Sequence, residues 1–182
     1  MFSASSFSVL GRSSQDGSSH RFGNRMSRTA ALFAVGGGVA AATFFGSGVA
    51  SAAPVTCVSP PSANDIQVDG VASCGATAAD ASHASATATD SGTAVSVAEG
   101  NGTTSTLATG YGTALGASRA GGTAYAGALG GGIAHSWADG GTTVAIAGWG
   151  SGATAEAGGV DCVGQWSFAI NLASGQVCAL GN

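Results

Sequence analysis

Small and larger side chains alternate along residues 92–132, where every tenth residue is glycine. Within each ten-residue unit, or decad, the third, fifth and seventh positions are almost always Ala, Ser, Thr or Gly. The second, fourth and sixth positions carry Thr, Val, Leu, Tyr, His or Trp. A period of two is typical of a β-strand, so each decad predicts a strand with one face of small side chains and one of larger ones.

The decads predict an all-β fold in which strands are joined by tight corners. Junctions such as "EGNG", "TGYG" and "LGGG" indicate corners, because glycine adopts the positive φ that a sharp reversal needs. We expect a β-solenoid, or β-roll, of about seven ten-residue Gly/Ala/Thr repeats with one or two repeats per coil. An antiparallel β-meander or barrel remains the alternative. The face of small side chains favours the solenoid, because it lets two β-layers approach closely.

Four cysteines flank the repeats in an even, two-and-two arrangement. We expect the disulfides Cys57–Cys74 and Cys162–Cys178, because the separations within the pairs are similar and each pair lies on one flank. The cysteine-bounded segments would cap the terminal strands, which otherwise expose unpaired edges. The expected organisation is an N-terminal cap over residues 53–80, the repeats over 81–160 and a C-terminal cap over 161–182.

Residues 1–52 are typical of an N-terminal extension with a secretory signal peptide. Arginines precede the apolar run "TAALFAVGGGVAAATFFGSGV", and "ASA" ends at Ala52. Met26 begins a compact signal by itself and is an alternative start of translation. The sequence therefore predicts a protein that is secreted, extracellular or associated with the cell envelope, with no membrane span after signal cleavage.

Charge and residue content exclude several classes of function. The chain has no lysine, and beyond Ala52 it keeps one arginine and eight acidic residues, a formal charge of −7. Such a chain cannot neutralise phosphates, so nucleic acid is not expected as a partner. A catalytic site needs a base near a nucleophile, and beyond Ala52 the only histidines are His83 and His135. His135 shares its decad position with Val95, Leu115 and Tyr125, which indicates one more side chain of the larger face. We expect no enzyme activity, no cofactor and no metal site.

Two sets of side chains are candidates for a binding surface. Thr93, Thr103, Thr113 and Thr123 share the second decad position and could present an ordered array of hydroxyl groups to a glycan or to ice, although threonine is also a common strand residue. Tyr125, His135 and Trp137 lie in adjacent decads at positions of the same parity and could bind a sugar ring or another protein. An ordinary hydrophobic seam would produce the same pattern.

The decads "GTAYAGALGG" and "TTVAIAGWG" between two cysteine-bounded ends resemble a family of small, secreted, Ala/Gly-rich actinobacterial proteins of unknown function. That resemblance implies no activity and no catalytic residues. The repeat also resembles the head repeats of trimeric autotransporter adhesins, which implies a β-roll. The decad period and the lack of a following stalk or anchor depart from those adhesins, so trimerisation is not carried over.

These observations together predict a secreted, non-enzymatic structural or interaction protein of the cell envelope or exterior. Its partner would be an envelope component or a further copy of the chain. The alternative is a protein that binds a glycan or an ordered surface through the threonines or the aromatic group, and a hydrolase is the weakest alternative.

The signal peptide makes a prediction that mass spectrometry can check. Protein recovered from outside the cell should begin at Ala53, because the "ASA" site places cleavage after Ala52. An intact mass that includes residues 26–52 would contradict the cleaved signal.

Overall fold

The computed structural model describes residues 53–181, and these residues form fourteen β-strands and no helix. The strands are β1 (Val55–Ser59), β2 (Asn64–Asp69), β3 (Ala72–Ala78), β4 (His83–Ala88), β5 (Thr93–Ala98), β6 (Thr103–Thr109), β7 (Thr113–Arg119), β8 (Thr123–Leu129), β9 (Ile133–Asp139), β10 (Thr142–Gly148), β11 (Gly152–Glu156), β12 (Gly159–Val163), β13 (Trp166–Asn171) and β14 (Gln176–Leu180).

Successive decads lie in two different sheets. Sheet A has the strand order β1-β4-β6-β8-β10-β13-β14, and sheet B has the order β12-β11-β9-β7-β5-β3-β2. Neighbouring repeat strands are parallel, and Thr93 pairs with Thr113, two decads away. Each coil therefore contains two decads, and the predicted β-solenoid is confirmed with about four turns. Parallel pairing excludes the antiparallel meander, whose neighbouring strands would run in opposite directions.

One short decad shifts the buried positions from even to odd residue numbers, and the coil continues through it. The nine-residue unit that begins at Gly132 shortens the offset between paired strands, so that Thr123 pairs with Thr142. The buried repeat positions have even numbers up to Ala138 and odd numbers from Thr143 onward. The coil absorbs the missing residue at the corner between β9 and β10.

The core between the sheets consists of methyl and hydroxyl groups, as the small-residue positions predicted. Ala94, Ala114 and Ala134 are fully buried. Inward hydroxyl groups bond across the gap at three places: Ser96 to Thr106 at 3.0 Å, Thr104 to Ser118 at 2.6 Å, and Ser136 to Thr143 at 2.9 Å. Burying such groups requires partners of this kind, because an unpaired buried hydroxyl is costly.

The glycines at the corners serve two distinct purposes. From the β4–β5 corner to the β10–β11 corner, the two residues at the tip have positive φ, for example Gly110 at 59° and Tyr111 at 66°, as in a type I′ turn. The glycine that opens each decad between Gly92 and Gly132 does not have positive φ. At Gly112 a Cβ would lie 2.6 Å from the backbone oxygen of Ala128 on the next coil. Close stacking of the corners of neighbouring coils therefore requires a glycine at the first decad position, as at Gly112.

Both ends of the solenoid are closed by strands that reverse direction. At the N-terminal end β1 pairs antiparallel with β4, and β2 with β3. At the C-terminal end β12 pairs antiparallel with β11, and β13 pairs with both β10 and β14. Parallel pairing begins at β3, inside the segment predicted as the N-terminal cap.

The disulfides Cys57–Cys74 and Cys162–Cys178 are confirmed. The first joins β1 of sheet A to β3 of sheet B, and the second joins β12 of sheet B to β14 of sheet A. Each bridge therefore ties the two sheets together at one end. Two disulfides are typical of proteins outside the cytoplasm.

The predicted signal peptide and the alternative start at Met26 lie outside the described residues. Within residues 53–181 the structure contains no helix that is long and apolar enough to cross a membrane.

The stacked corners predict that Gly112→Ala destabilises the protein, because the added methyl group would meet the backbone of the next coil. We expect a loss of roughly 1–3 kcal/mol, as for other overpacked sites, measured by urea denaturation of the oxidised protein. Gly75→Ala is the matched control, since a Cβ there has no neighbour within 4 Å. Equal stability of the two variants would contradict the close-stacking explanation.

The cap disulfides predict local rather than uniform loss of structure. The double variant Cys162→Ala/Cys178→Ala should lose about 3 kcal/mol, because the short closed loop is no longer constrained in the unfolded state. Hydrogen exchange should show faster exchange in β12–β14, with β5 retaining its protection. The variant Cys57→Ala/Cys74→Ala should produce the opposite pattern, with fast exchange in β1–β3. Equal loss across all strands in both variants would show that the ends do not protect the solenoid separately.

Candidate functional site

The four candidate threonines do not form one array. Thr93 and Thr113 are neighbours in sheet B, whereas Thr103 and Thr123 are neighbours in sheet A. The outward faces of the two sheets point in opposite directions, so the prediction of one coplanar hydroxyl surface is wrong. The physical reason is that each corner sends the chain from one sheet to the other, so that consecutive decads never lie side by side.

The candidate aromatic group is divided in the same way. Tyr125 lies in sheet A between Ser105 and Val144, while His135 and Trp137 lie in sheet B. Sequence parity correctly placed all three side chains on outward faces, but it could not show that these faces differ. The predicted three-residue patch therefore does not exist as one surface.

On sheet B, Trp137 belongs to a small charged cluster. The guanidinium carbon of Arg119 lies 5.4 Å from the centre of the Trp137 ring, and Arg119 Nη2 donates to Asp139 Oδ2 at 3.0 Å. The small side chain of Ala117 leaves a shallow hollow of about 220 Å³ beside them, which Glu99 also lines. Arg119 already contacts Asp139 and Trp137, so its charge is satisfied within this cluster.

His135 also lies on sheet B, next to a carboxylate. Its Nδ1 is 3.1 Å from Glu156 Oε1, and the Glu156 side chain is half exposed. No hydrogen bond joins His135 to a serine or threonine hydroxyl group within residues 53–181. His135 and Glu156 thus form a partly exposed pair on the outward side of sheet B.

Charge is distributed unequally between the two sheets. The seven strands of sheet A contain no Asp, Glu, Lys or Arg. Every charged residue that lies in a described strand belongs to sheet B: Asp65, Asp69, Arg119, Asp139, Glu156 and Asp161. Reading alternate decads as separate sets would have revealed this segregation in the sequence, but that reading requires knowing that a coil holds two decads.

The outward side of sheet A instead carries large apolar side chains towards its C-terminal end. We call this surface the apolar face. Two rows of side chains run across β8, β10, β13 and β14 in register, and Leu107 of β6 adjoins them. The members of the apolar face are Leu107, Tyr125, Val144, Ile146, Phe168, Ile170, Val177 and Ala179. Leu107, Tyr125, Ile146 and Val177 are each more than 40% exposed.

A groove at one margin of the apolar face has a volume of about 270 Å³. Trp149 and Trp166 form one wall with their rings nearly perpendicular, 6.1 Å between centres and 73° between planes. Ile146 and Phe168 also line the groove. Ser167 lines it as well, and its hydroxyl is the buried side-chain polar atom that has no hydrogen-bond partner within residues 53–181.

Metal binding finds no support in these surfaces. No group of three or more His, Cys, Asp or Glu side chains within residues 53–181 is arranged to hold a metal ion. The apolar face contains no His, Cys, Asp or Glu side chain, and the cysteines are all in disulfides.

Comparison with known proteins gives a family and no activity. Searches of curated proteins and of solved structures found no match. A family model covers almost the whole chain, from residue 22 to residue 181. On that extent of similarity, the protein belongs to the Family of unknown function (DUF6764).

Proposed function

We propose that the protein is an exported, non-enzymatic interaction protein that attaches to a component of the cell envelope through the apolar face of sheet A. The observation that carries this proposal is the segregation of the surface: sheet A has no charged strand residue, and its C-terminal half exposes a continuous group of large apolar side chains.

The extent of the apolar face supports a binding role. Four strands spaced about 4.8 Å apart, with five or six residues of about 3.3 Å each, cover roughly 320–380 Å². The largest apolar patch on a monomeric protein is typically about 300–600 Å² and is often functional. Because the core accepts only small side chains, Ile146, Phe168 and Val177 lie outside it, and packing of the core does not require them to lie together.

Export is supported by the two disulfides and by the signal features of residues 1–52. A non-enzymatic role is supported by the exposed position of the His135 and Glu156 pair, to which no hydroxyl or thiol group within residues 53–181 is hydrogen-bonded. The glycan or ice alternative loses support, because its threonines lie as two separate pairs on opposite sheets.

A charge placed on the apolar face should release the protein from the envelope. We compare Ile146→Glu in sheet A with Leu115→Glu in sheet B, because the two side chains are 42% and 38% exposed and both point outward from the middle of a strand. In the native host, quantitative blotting of washed envelope and culture medium should show wild type and Leu115→Glu on the envelope. Ile146→Glu should be mostly in the medium, because binding would bury its carboxylate.

Circular dichroism and thermal melting provide the folding control for both variants. The proposal is wrong if folded Ile146→Glu stays on the envelope as the wild type does. It is also wrong if wild-type protein is found only in the medium.

A further inference from the structure

The described fold has four edge strands, and three of them are protected against pairing. On β1, the N–H of Val58 donates to Asp65 Oδ2 and the C=O of Thr56 accepts from Gln67 Nε2, both at 2.9 Å. These side chains come from β2, so they occupy backbone groups that a further strand would need. The other two protected edges carry charge, Asp65 and Asp69 on β2 and Asp161 on β12. Charged residues on edge strands are a common defence against edge-to-edge association.

The fourth edge strand, β14, has no such protection. Its sequence, "QVCAL", contains neither a charged residue nor a proline. Within residues 53–181 no side chain hydrogen-bonds to the backbone of β14. Sheet A therefore ends at an open, uncharged strand beside the apolar face.

Hydrogen-bond alternation identifies the backbone groups that are free on β14. The N–H of Leu172 donates to the C=O of Thr142, so the adjacent Asn171 directs its backbone groups away from β10 and towards β14. Asn171 pairs with Gln176, and Ala169 pairs with Cys178. The residues between these pairing positions, Val177 and Ala179, consequently direct their N–H and C=O groups outward from the sheet edge.

We propose that β14 pairs antiparallel with the β14 strand of a second copy of this chain, forming a two-fold symmetric dimer. Two antiparallel copies of one strand present matching donors and acceptors to each other. Centred on Cys178, the pairing places Val177 opposite Ala179 of the second copy, and the reverse, with two hydrogen bonds at each position. This inference goes beyond the proposed function and does not depend on it.

Charge favours a second copy at this edge over the other edges. A protein with formal charge −7 beyond Ala52 is repelled by its own copies wherever acidic residues meet. All charged strand residues are in sheet B, so β14 pairing joins two uncharged sheets. Pairing through β2 or β12 would instead bring aspartates together.

The dimer would also join the two apolar faces into one surface. Val177 and Ala179 belong to that face and lie at its edge, so two paired copies double the width of the face to about 38 Å. The combined area of roughly 640–760 Å² approaches the area, about 800 Å² per partner, that a standard stable interface buries. A single face is about half that size.

Sedimentation velocity of the oxidised protein, produced from the full chain, tests this inference at concentrations from micromolar to millimolar. The wild type should shift from monomer to dimer as the concentration rises. Ala179→Pro removes an outward N–H that does not bond to β13, and proline is tolerated at such an edge position. It should raise the dissociation constant roughly tenfold or more, since each dimer loses two hydrogen bonds.

A second pair of variants keeps the test decisive if Ala179→Pro fails to fold. Val177→Lys places a charge on the β14 edge, and Val163→Lys places one on β12. The two valines are matched in exposure, at 58% and 57%. Val177→Lys should remain monomeric, while Val163→Lys should dimerise like the wild type.

Three outcomes would overturn the dimer. The wild type could be monomeric at every concentration, Val177→Lys could still dimerise, or Val163→Lys could lose dimerisation to the same extent as Val177→Lys. Envelope retention is measured separately. A monomeric wild type that still binds the envelope would refute the dimer and leave the proposed function standing.

Discussion

The short distance between the two sheets is the constraint on which the rest of the structure depends. At Gly116 a Cβ would lie 2.6 Å from the Thr104 methyl group of the opposite sheet. Only Gly, Ala, Ser and Thr fit the inward repeat positions, and the inward hydroxyl groups must then bond across the gap, as Thr104 does with Ser118. The coils approach each other equally closely at their corners, where a glycine opens each decad. Composition and hydroxyl pairing are thus consequences of the distance between the sheets, and the placement of the corner glycines is a consequence of the distance between the coils.

A core of methyl groups limits what burial can contribute to stability. Each buried methyl-sized group adds only about 0.8 kcal/mol, so the ladders of backbone hydrogen bonds must contribute much of the remainder. The ladders of backbone hydrogen bonds end at the first and last coils, where one strand edge has no neighbour. Because each coil contacts only its neighbours, a solenoid is least stable at these ends. The reversed strands and the inter-sheet disulfides lie at those ends. The fold thus places its covalent links where the non-covalent interactions are fewest.

The same narrow core explains why the outward side chains, and not the inward ones, differ from one repeat to the next. Every large side chain of the repeats must point outward, and the alternation of decads assigns it to sheet A or sheet B. Each face can therefore vary in sequence without disturbing the core. In this chain one face has become uncharged and apolar around Ile146 and Phe168, while the other holds the ion pair of Arg119 and Asp139. That independence is what makes an interaction role through sheet A compatible with a stable scaffold.

The sequence by itself determined the strands of the repeats, their inward positions and the two cysteine pairs, because these follow from local periodicity and spacing. It favoured the solenoid over the meander through the small size of the inward side chains. It did not determine the surface, since alternation of side chains shows that a residue points outward without showing which sheet it leaves. Tertiary structure decided that a coil holds two decads, and this one fact separates Tyr125 from Trp137 and Thr93 from Thr103. It also places Tyr125 beside Val144 and Ile170 in one row of the apolar face. The physical reason is that a corner with a two-residue tip reverses the chain whether the next strand joins the same sheet or the opposite one. Only the packing between coils decides which sheet the next strand joins.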